Sequence, residues 1–180
     1  MKELLLPFFE PLKNLNPIVY VIVIAFVPLI ELRGSIPVAL LILKMSVVET
    51  FLWSVLGSMI PAFFVIPLFA WFLNWLEKKQ LFPWLTNFLN KKFVAKAKLV
   101  DEKNKTVTDS NKPLWQKELL KFWAIVTFVA IPLPGTGVWT GSAIASVIKM
   151  PIKKAFGAVL LGDIIAGVIV TAIALIFKKI

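Results

Sequence analysis

Residues 50–76 carry no charged side chain. A helix of about 20 apolar residues crosses the roughly 30 Å hydrocarbon core of a bilayer. A run this long therefore predicts a membrane-spanning helix. Residues 155–177 form a second such run, broken only by Asp163. Composition agrees: 59% of the chain is hydrophobic and 17% charged, with fifteen Phe and seven Trp. A small soluble domain leaves too much of its surface in water to hide that many large apolar side chains. The expected fold class is an all-α integral membrane protein.

Two further apolar blocks are interrupted near their middles. In the first, Glu31-Leu32-Arg33-Gly34-Ser35 separates the apolar residues 18–30 from 36–43. In the second, Pro132-Leu133-Pro134-Gly135-Thr136-Gly137 divides residues 122–148. Proline removes a backbone donor and glycine loosens a helix. Each block is either one kinked span or a re-entrant hairpin whose arms reach mid-membrane. Shifting the chain by 105 residues aligns its halves without a gap. Ala25 falls on Ala130, Lys44-Met45 on Lys149-Met150, Phe51 on Phe156 and Gly57 on Gly162. The shared order of broken block, Lys-Met and clean span reads as an internal duplication. With an odd number of crossings per half, the halves are inverted, a recurring plan for secondary transporters.

The expected organisation is a first repeat over 1–76, with a hairpin over 18–43 and a spanning helix over 46–76. A Lys-rich stretch follows over 77–116. The second repeat occupies 117–180, with a hairpin over 122–148 and a spanning helix over 155–177. Residues 77–121 hold eleven Lys and five acidic residues. Apolar residues recur at helical spacing over 83–100, which predicts an interfacial helix on an anionic lipid surface. Residues 101–112 read as an exposed loop, and Leu114 to Lys121 as a short helix started by Pro113. Residues 2–13 look like a second interfacial segment. No small-residue cleavage site follows Met1-Lys2-Glu3, so no signal peptide is expected. With hairpins, the positive-inside rule places the Lys-rich segment in the cytoplasm of a multi-pass plasma-membrane protein.

The chain has no cysteine and no histidine. That excludes a disulfide framework, a zinc finger, a haem and a thiol nucleophile. No P-loop, dinucleotide fingerprint or nucleophile–base pair is present, so neither enzyme nor cofactor is expected, and no metal. The net charge of +10 comes from Lys beside apolar segments. Membrane lipids are thus the expected partners rather than nucleic acid; a homodimer is compatible with so small an inverted-repeat chain.

Glu31 and Arg33, the chain's only arginine, stand inside an apolar block. Ionisable groups at membrane depth are costly, and they are functional candidates by default. Arginine stays charged and offers a planar fork for phosphate or carboxylate. Gly34 and Ser35 complete that candidate substrate site. The competing reading is that Glu31 and Arg33 merely neutralise each other, or lie in an interfacial turn. The second break offers Gly135, Thr136, Gly137, Thr140 and Ser142 as anion-ready backbone amides and hydroxyls at a half-helix start. Its bland alternative is close backbone packing by small residues. Asp163 joins Glu31 as a candidate for ion coupling, or else is a hydrogen-bonded packing residue. Pro61 and Pro67 are candidate kinks in the second block. A Trp53, Trp71 and Trp139 cage for an organic cation has no support from spacing.

Glu31-Leu32-Arg33-Gly34-Ser35-Ile36-Pro37 and Pro132-Leu133-Pro134-Gly135-Thr136-Gly137-Val138-Trp139-Thr140-Gly141 resemble the paired motifs of the small multidrug export family. That family is related to the DedA/VTT superfamily, and the resemblance covers about residues 17–177. It implies two inverted halves, each a re-entrant hairpin plus a spanning helix, and a transport role. The DedA relatives are associated with proton-coupled movement of phospholipids or polyprenyl-phosphate carriers. Acidic and arginine residues matter for transport there. Only Glu31 and Arg33 match that pattern here, and the second hairpin lacks the charged residue expected of a DedA protein proper. Three functions follow as expectations. The first is an ion-coupled transporter of an anionic, phosphate-bearing lipid or metabolite. The second is a proton-coupled exporter of organic cations. The third is a non-transporting membrane scaffold.

Overall fold

The computed structural model describes residues 16–79, 114–133 and 135–179. The interfacial segments expected over 2–13 and 83–100, the loop over 101–112, most of the Lys-rich stretch and Pro134 lie outside the described residues. Among the described residues there is no strand. Six α-helices follow in order: α1 Pro17–Phe26, α2 Glu31–Pro37, α3 Val47–Lys79, α4 Leu114–Ala130, α5 Val138–Val147 and α6 Ile152–Lys179. A π-helical turn, Val38–Ile42, continues α2.

Local chemistry sets most of these bounds. Asn16 caps α1, its side-chain oxygen accepting from the Ile18 N–H at 2.9 Å, and Pro17 fills the first helical position. Val27 leaves the helix in an extended conformation, φ −66° and ψ 127°, as the residue before a proline prefers. α3 opens on a side-chain cap by Ser46. The Ser46 hydroxyl accepts from the Glu49 N–H at 3.3 Å, and it donates to the Glu49 carboxylate at 2.8 Å. Pro37 lacks the N–H that would close the next α-turn, and the π-turn follows at once.

α3 and α6 contain apolar stretches of 26 and 27 residues, Val47–Phe72 and Ile152–Lys178, each long enough to cross a membrane. α3 continues unbroken through Pro61 and Pro67. The short helix expected over 114–121 is not separate. α4 runs without interruption from Leu114 to Ala130, so the first arm of the second broken block begins eight residues earlier than residue 122. Sequence reading split it because Lys117, Glu118 and Lys121 end the apolar run. Charge marks the limit of the apolar environment, and a helix can continue past it.

The interior is largely apolar, with Leu32, Ile36, Leu40 and Ile66 buried, but large apolar side chains also cover the outside and several polar ones lie within. Phe64, Trp71, Ile176 and Phe177 are 61–67% exposed, whereas Glu31, Ser35, Thr50, Ser54, Ser142 and Asp163 are at most 2% exposed. Large apolar side chains on the outside, with buried polar groups kept in the interior, fit a hydrocarbon solvent. Over its described residues the protein is an all-helical membrane protein.

The chain divides into two compact units. One comprises the chain up to Ser58 together with Gly167 onward; the other is Met59–Ala166. Each therefore holds one broken block, the first half of the long helix that follows it, and the second half of the other long helix. In the first unit, α1 packs on α2. A methyl group at Gly57 of α3 would lie 2.8 Å from the Ala25 Cβ and 2.9 Å from the Ile22 backbone. In the second unit, a methyl at Gly162 of α6 would lie 2.7 Å from the Val129 Cβ and 2.8 Å from the Val126 carbonyl. Glycine alone permits both approaches, as small residues do between membrane helices. Gly57 and Gly162 stand 105 residues apart, and so do Lys44 and Lys149. These two lysines are left-handed, at φ 52° and 54°. Each closes the arm before a long helix, with Met45 N–H donating to the Ala39 carbonyl and Met150 N–H to the Ala145 carbonyl, both at 3.0 Å. Backward bonds of this kind across a left-handed residue satisfy the last carbonyls of a helix.

In the second unit the helix directions can be read from contacts. Lys154 pairs with Glu118 at 3.3 Å, Gly157 faces Phe122, and Gly162 meets Val126 and Val129. α4 and the first half of α6 thus run parallel. α5 returns between them, with Gly141 pressed on Val129 and Val159.

Overpacking a tight contact costs about 1–3 kcal/mol. Gly57→Ala and Gly162→Ala are each expected to lower thermal stability by that amount. Gly157→Ala meets only Phe122 Cε2 at 3.9 Å and is expected to be neutral or slightly stabilising. Melting curves of the three purified variants check this, and equal melting of all three would contradict it.

Candidate functional site

The first break folds through Pro28 into a left-handed Leu29, φ 73°, and a left-handed Glu31, φ 48°. A non-glycine residue in this region costs roughly 1–2 kcal/mol, a strain concentrated at functional segments. Glu31 N–H donates to the Val27 carbonyl at 3.1 Å, and Gly34 N–H to the Ile30 carbonyl at 3.1 Å, so the break re-enters helix at once. Gly34 lies against the Ile30 side chain, which leaves no room for a Cβ.

Here the two candidate charges meet. Arg33 Nη1 donates to Glu31 Oε2 at 2.6 Å, with the side chains 13% and 3% exposed. The pair is the mutual neutralisation that competes with a functional reading of either residue. Each side chain also gives the other an opposite charge in a place largely shielded from water. Ser35, one turn beyond Glu31 on α2, is fully buried and its hydroxyl has no hydrogen-bond partner.

The second break closes on itself. Thr136 Oγ1 lies 2.6 Å from the Ile131 carbonyl and 2.8 Å from the Leu133 carbonyl, and Thr136 N–H donates to Leu133 at 3.2 Å. Thr136 thus satisfies two carbonyls of the turn that follows α4. Gly135 takes φ +82°, which its lack of a Cβ permits. Gly137 precedes α5 without any side-chain cap, and its carbonyl accepts from the Gly141 N–H at 2.8 Å. Thr140 is half-buried. Ser142 is fully buried, and its hydroxyl has no partner. Ser146, one turn on, has its hydroxyl 2.9 Å from the Ser142 carbonyl and 3.0 Å from the Ile66 carbonyl of α3.

Asp163 is 1% exposed on α6. It follows Gly162, and Ser142 follows Gly141; both glycines press on the fully buried Val129. The second unit therefore sets a buried carboxylate and a buried hydroxyl beside one three-helix contact. Glu31, Arg33, Gly34 and Ser35 belong to the first unit. The 135–142 segment and Asp163 belong to the second. Trp71, one member of the suggested aromatic cage, is 61% exposed.

Sequence reading passed over Thr50, Ser54 and Thr171. All three are buried hydroxyls without partners. They lie in the long helices, where the absence of charge drew attention away from them. The available signal was the four-residue spacing of Thr50, Ser54 and Ser58 on an otherwise apolar helix.

Removing one partner of a buried pair costs about 3–5 kcal/mol, because the other charge is stranded. Arg33→Met is expected to destabilise by that order. Adding Glu31→Gln should recover most of the loss, giving a coupling of at least about 1 kcal/mol in a double-mutant cycle of melting measurements. Additive effects would show that the pair contributes nothing.

Comparison with curated proteins and with solved structures found no match. A family model described as "Putative small multi-drug export protein" matches residues 31–169, beginning at Glu31 itself. The chain belongs to the small multi-drug export family.

Proposed function

We propose that the protein is an ion-coupled secondary transporter that moves an anionic, phosphate-bearing lipid or metabolite, with Arg33 as the head-group ligand. The buried Glu31–Arg33 pair carries this reading. An incoming anion competes with Glu31 for the guanidinium. When it wins, the Glu31 carboxylate loses its counter-charge in a low-dielectric place, and a coupling cation takes that position. Anion binding and cation binding are thereby linked through one contact. Asp163, also buried, is the second candidate for handling the coupling ion. The hydroxyls and amides of 135–142 are further candidate anion-binding groups in the second unit, and the transport cycle is alternating access. The chain acts by transport rather than by catalysis, with membrane lipids as its surroundings.

The architecture behind this reading is an inverted repeat of re-entrant hairpins. α1 and α5 have ten residues each, about 15 Å at 1.5 Å per residue, half of a roughly 30 Å core. The Lys154–Glu118 contact sets the start of α4 level with the start of α6, which directly follows the end of α5. A hairpin that enters and leaves on one side has this arrangement. The recurrence of Lys44 and Gly57 at Lys149 and Gly162 supports a duplication.

A second reading is export of organic cations, favoured by the family description and by the buried carboxylates Glu31 and Asp163. Native mass spectrometry with a polyprenyl phosphate and a lipophilic cation in competition separates the two. Phosphate-lipid binding is expected to fall at least tenfold in Arg33→Ala and to persist in Glu31→Gln, where Arg33 is released. Cation binding that survives Arg33→Ala, with no phosphate-lipid binding to wild type, would move the function to cation export.

A further inference from the structure

The start of α6 carries positive charge that its own turn does not offset. Lys153 and Lys154 occupy the first turn, and no acidic residue accompanies them there. The first amides of a helix lack carbonyl partners, and that end is already positive, so cations on it are disfavoured. The offset comes from another helix of the same unit. Glu118 of α4 sets its Oε2 3.3 Å from the Lys154 Nζ and its Oε1 3.7 Å from the Lys121 Nζ. One carboxylate thus serves two ammonium groups, and Lys153, next to Lys154 in the chain, is exposed. The three lysines outnumber the glutamate by two. Each ammonium has three N–H donors, and the Lys154 and Lys121 side chains remain 53% and 43% exposed, so both keep donors to spare.

The depth of this cluster follows from its neighbours. Leu119, Leu120 and Trp123, in the same two turns of α4, are 45–51% exposed. Just past Lys121, Phe122 meets Gly157 of α6. Exposed apolar side chains and a Trp next to lysines mark the boundary between hydrocarbon and the head-group layer. The partner that lies against the ammonium groups at that depth is a lipid head group. An anionic one supplies the missing charge, whereas a zwitterionic one brings no net charge.

We propose that Lys121, Lys153 and Lys154, where α4 meets the start of α6, bind the phosphate head group of an anionic phospholipid. Glu118 is the built-in competitor: it spaces Lys121 and Lys154 and yields to the lipid phosphate. An ammonium group is a point charge without a fixed fork, so the site selects charge rather than head-group shape. Two of the three lysines lie outside the Lys-rich stretch, and the site requires only a bilayer. It therefore stands independently of the transport reading and of Arg33.

The test is native mass spectrometry of the purified full-length protein with phosphatidylglycerol and with phosphatidylcholine. Phosphatidylglycerol is expected to bind more tightly. Lys153→Gln and Lys154→Gln should each weaken it about fivefold, the effect of one lysine at an anionic surface. Glu118→Gln should strengthen it, because two ammonium groups are released from their competitor. Arg33→Ala should bind phosphatidylglycerol as wild type does. Equal binding of the two lipids by wild type overturns the proposal. Unchanged binding in the double variant Lys153→Gln/Lys154→Gln also overturns it, since the lipid then sits elsewhere on the chain. Weaker binding in Glu118→Gln removes the competitor role and the site with it. Loss of binding in Arg33→Ala overturns it too, and gives the lipid to the proposed transport site.

Discussion

Hydrocarbon offers no hydrogen bonds, and the rest of this structure follows from that. Each interruption of a helix in such a solvent strands carbonyls and amides that must be paired within the protein. The two breaks solve the problem differently. At 131–137 a threonine side chain and a glycine turn close on the end of α4. At 27–31 the chain accepts left-handed Leu29 and Glu31 so that α2 can start at once. The second solution is the more strained, and it is the one that holds the charges.

That strained turn delivers Glu31 and Arg33, two residues apart, into hydrogen-bond contact. Residues at this spacing do not share a face of a regular α-helix. The left-handed backbone at Glu31 removes that restriction at the first residue of α2. The ion pair, the break and the start of the helix are therefore one feature. Gly34 and Pro37 extend it, one by admitting Ile30 and the other by preceding the π-turn.

Much of this could be read before any coordinates. Residues 50–76 and 155–177 declared themselves because they are long, mostly apolar and carry a single charge between them, and the helices there extend past both limits. The second break was legible because Pro132, Gly135 and Gly137 have few conformational uses inside an apolar run. The first was expected over residues 31–35 but falls just before them, at 27–30, so that Glu31 opens α2. Glu31 and Arg33 stood out because charge in such a run demands a reason. The continuity of α4 through Lys117, Glu118 and Lys121 was not legible, because polarity reports the surroundings and not the backbone. The orphan hydroxyls of Thr50, Ser54 and Thr171 escaped for a related reason. Serine and threonine usually satisfy themselves on a helix, and only side-chain positions reveal that these do not.

The apolar part of α3 has a further consequence. Its 26 residues, Val47–Phe72, extend about 39 Å at 1.5 Å per residue, against a core of roughly 30 Å. α6 is as long. Hydrophobic length in excess of the bilayer is met by tilting the helix or by thickening the lipid around it. Tilt, thicker lipid or both must take up the excess in each long helix, so acyl-chain length acts on this protein as a mechanical load.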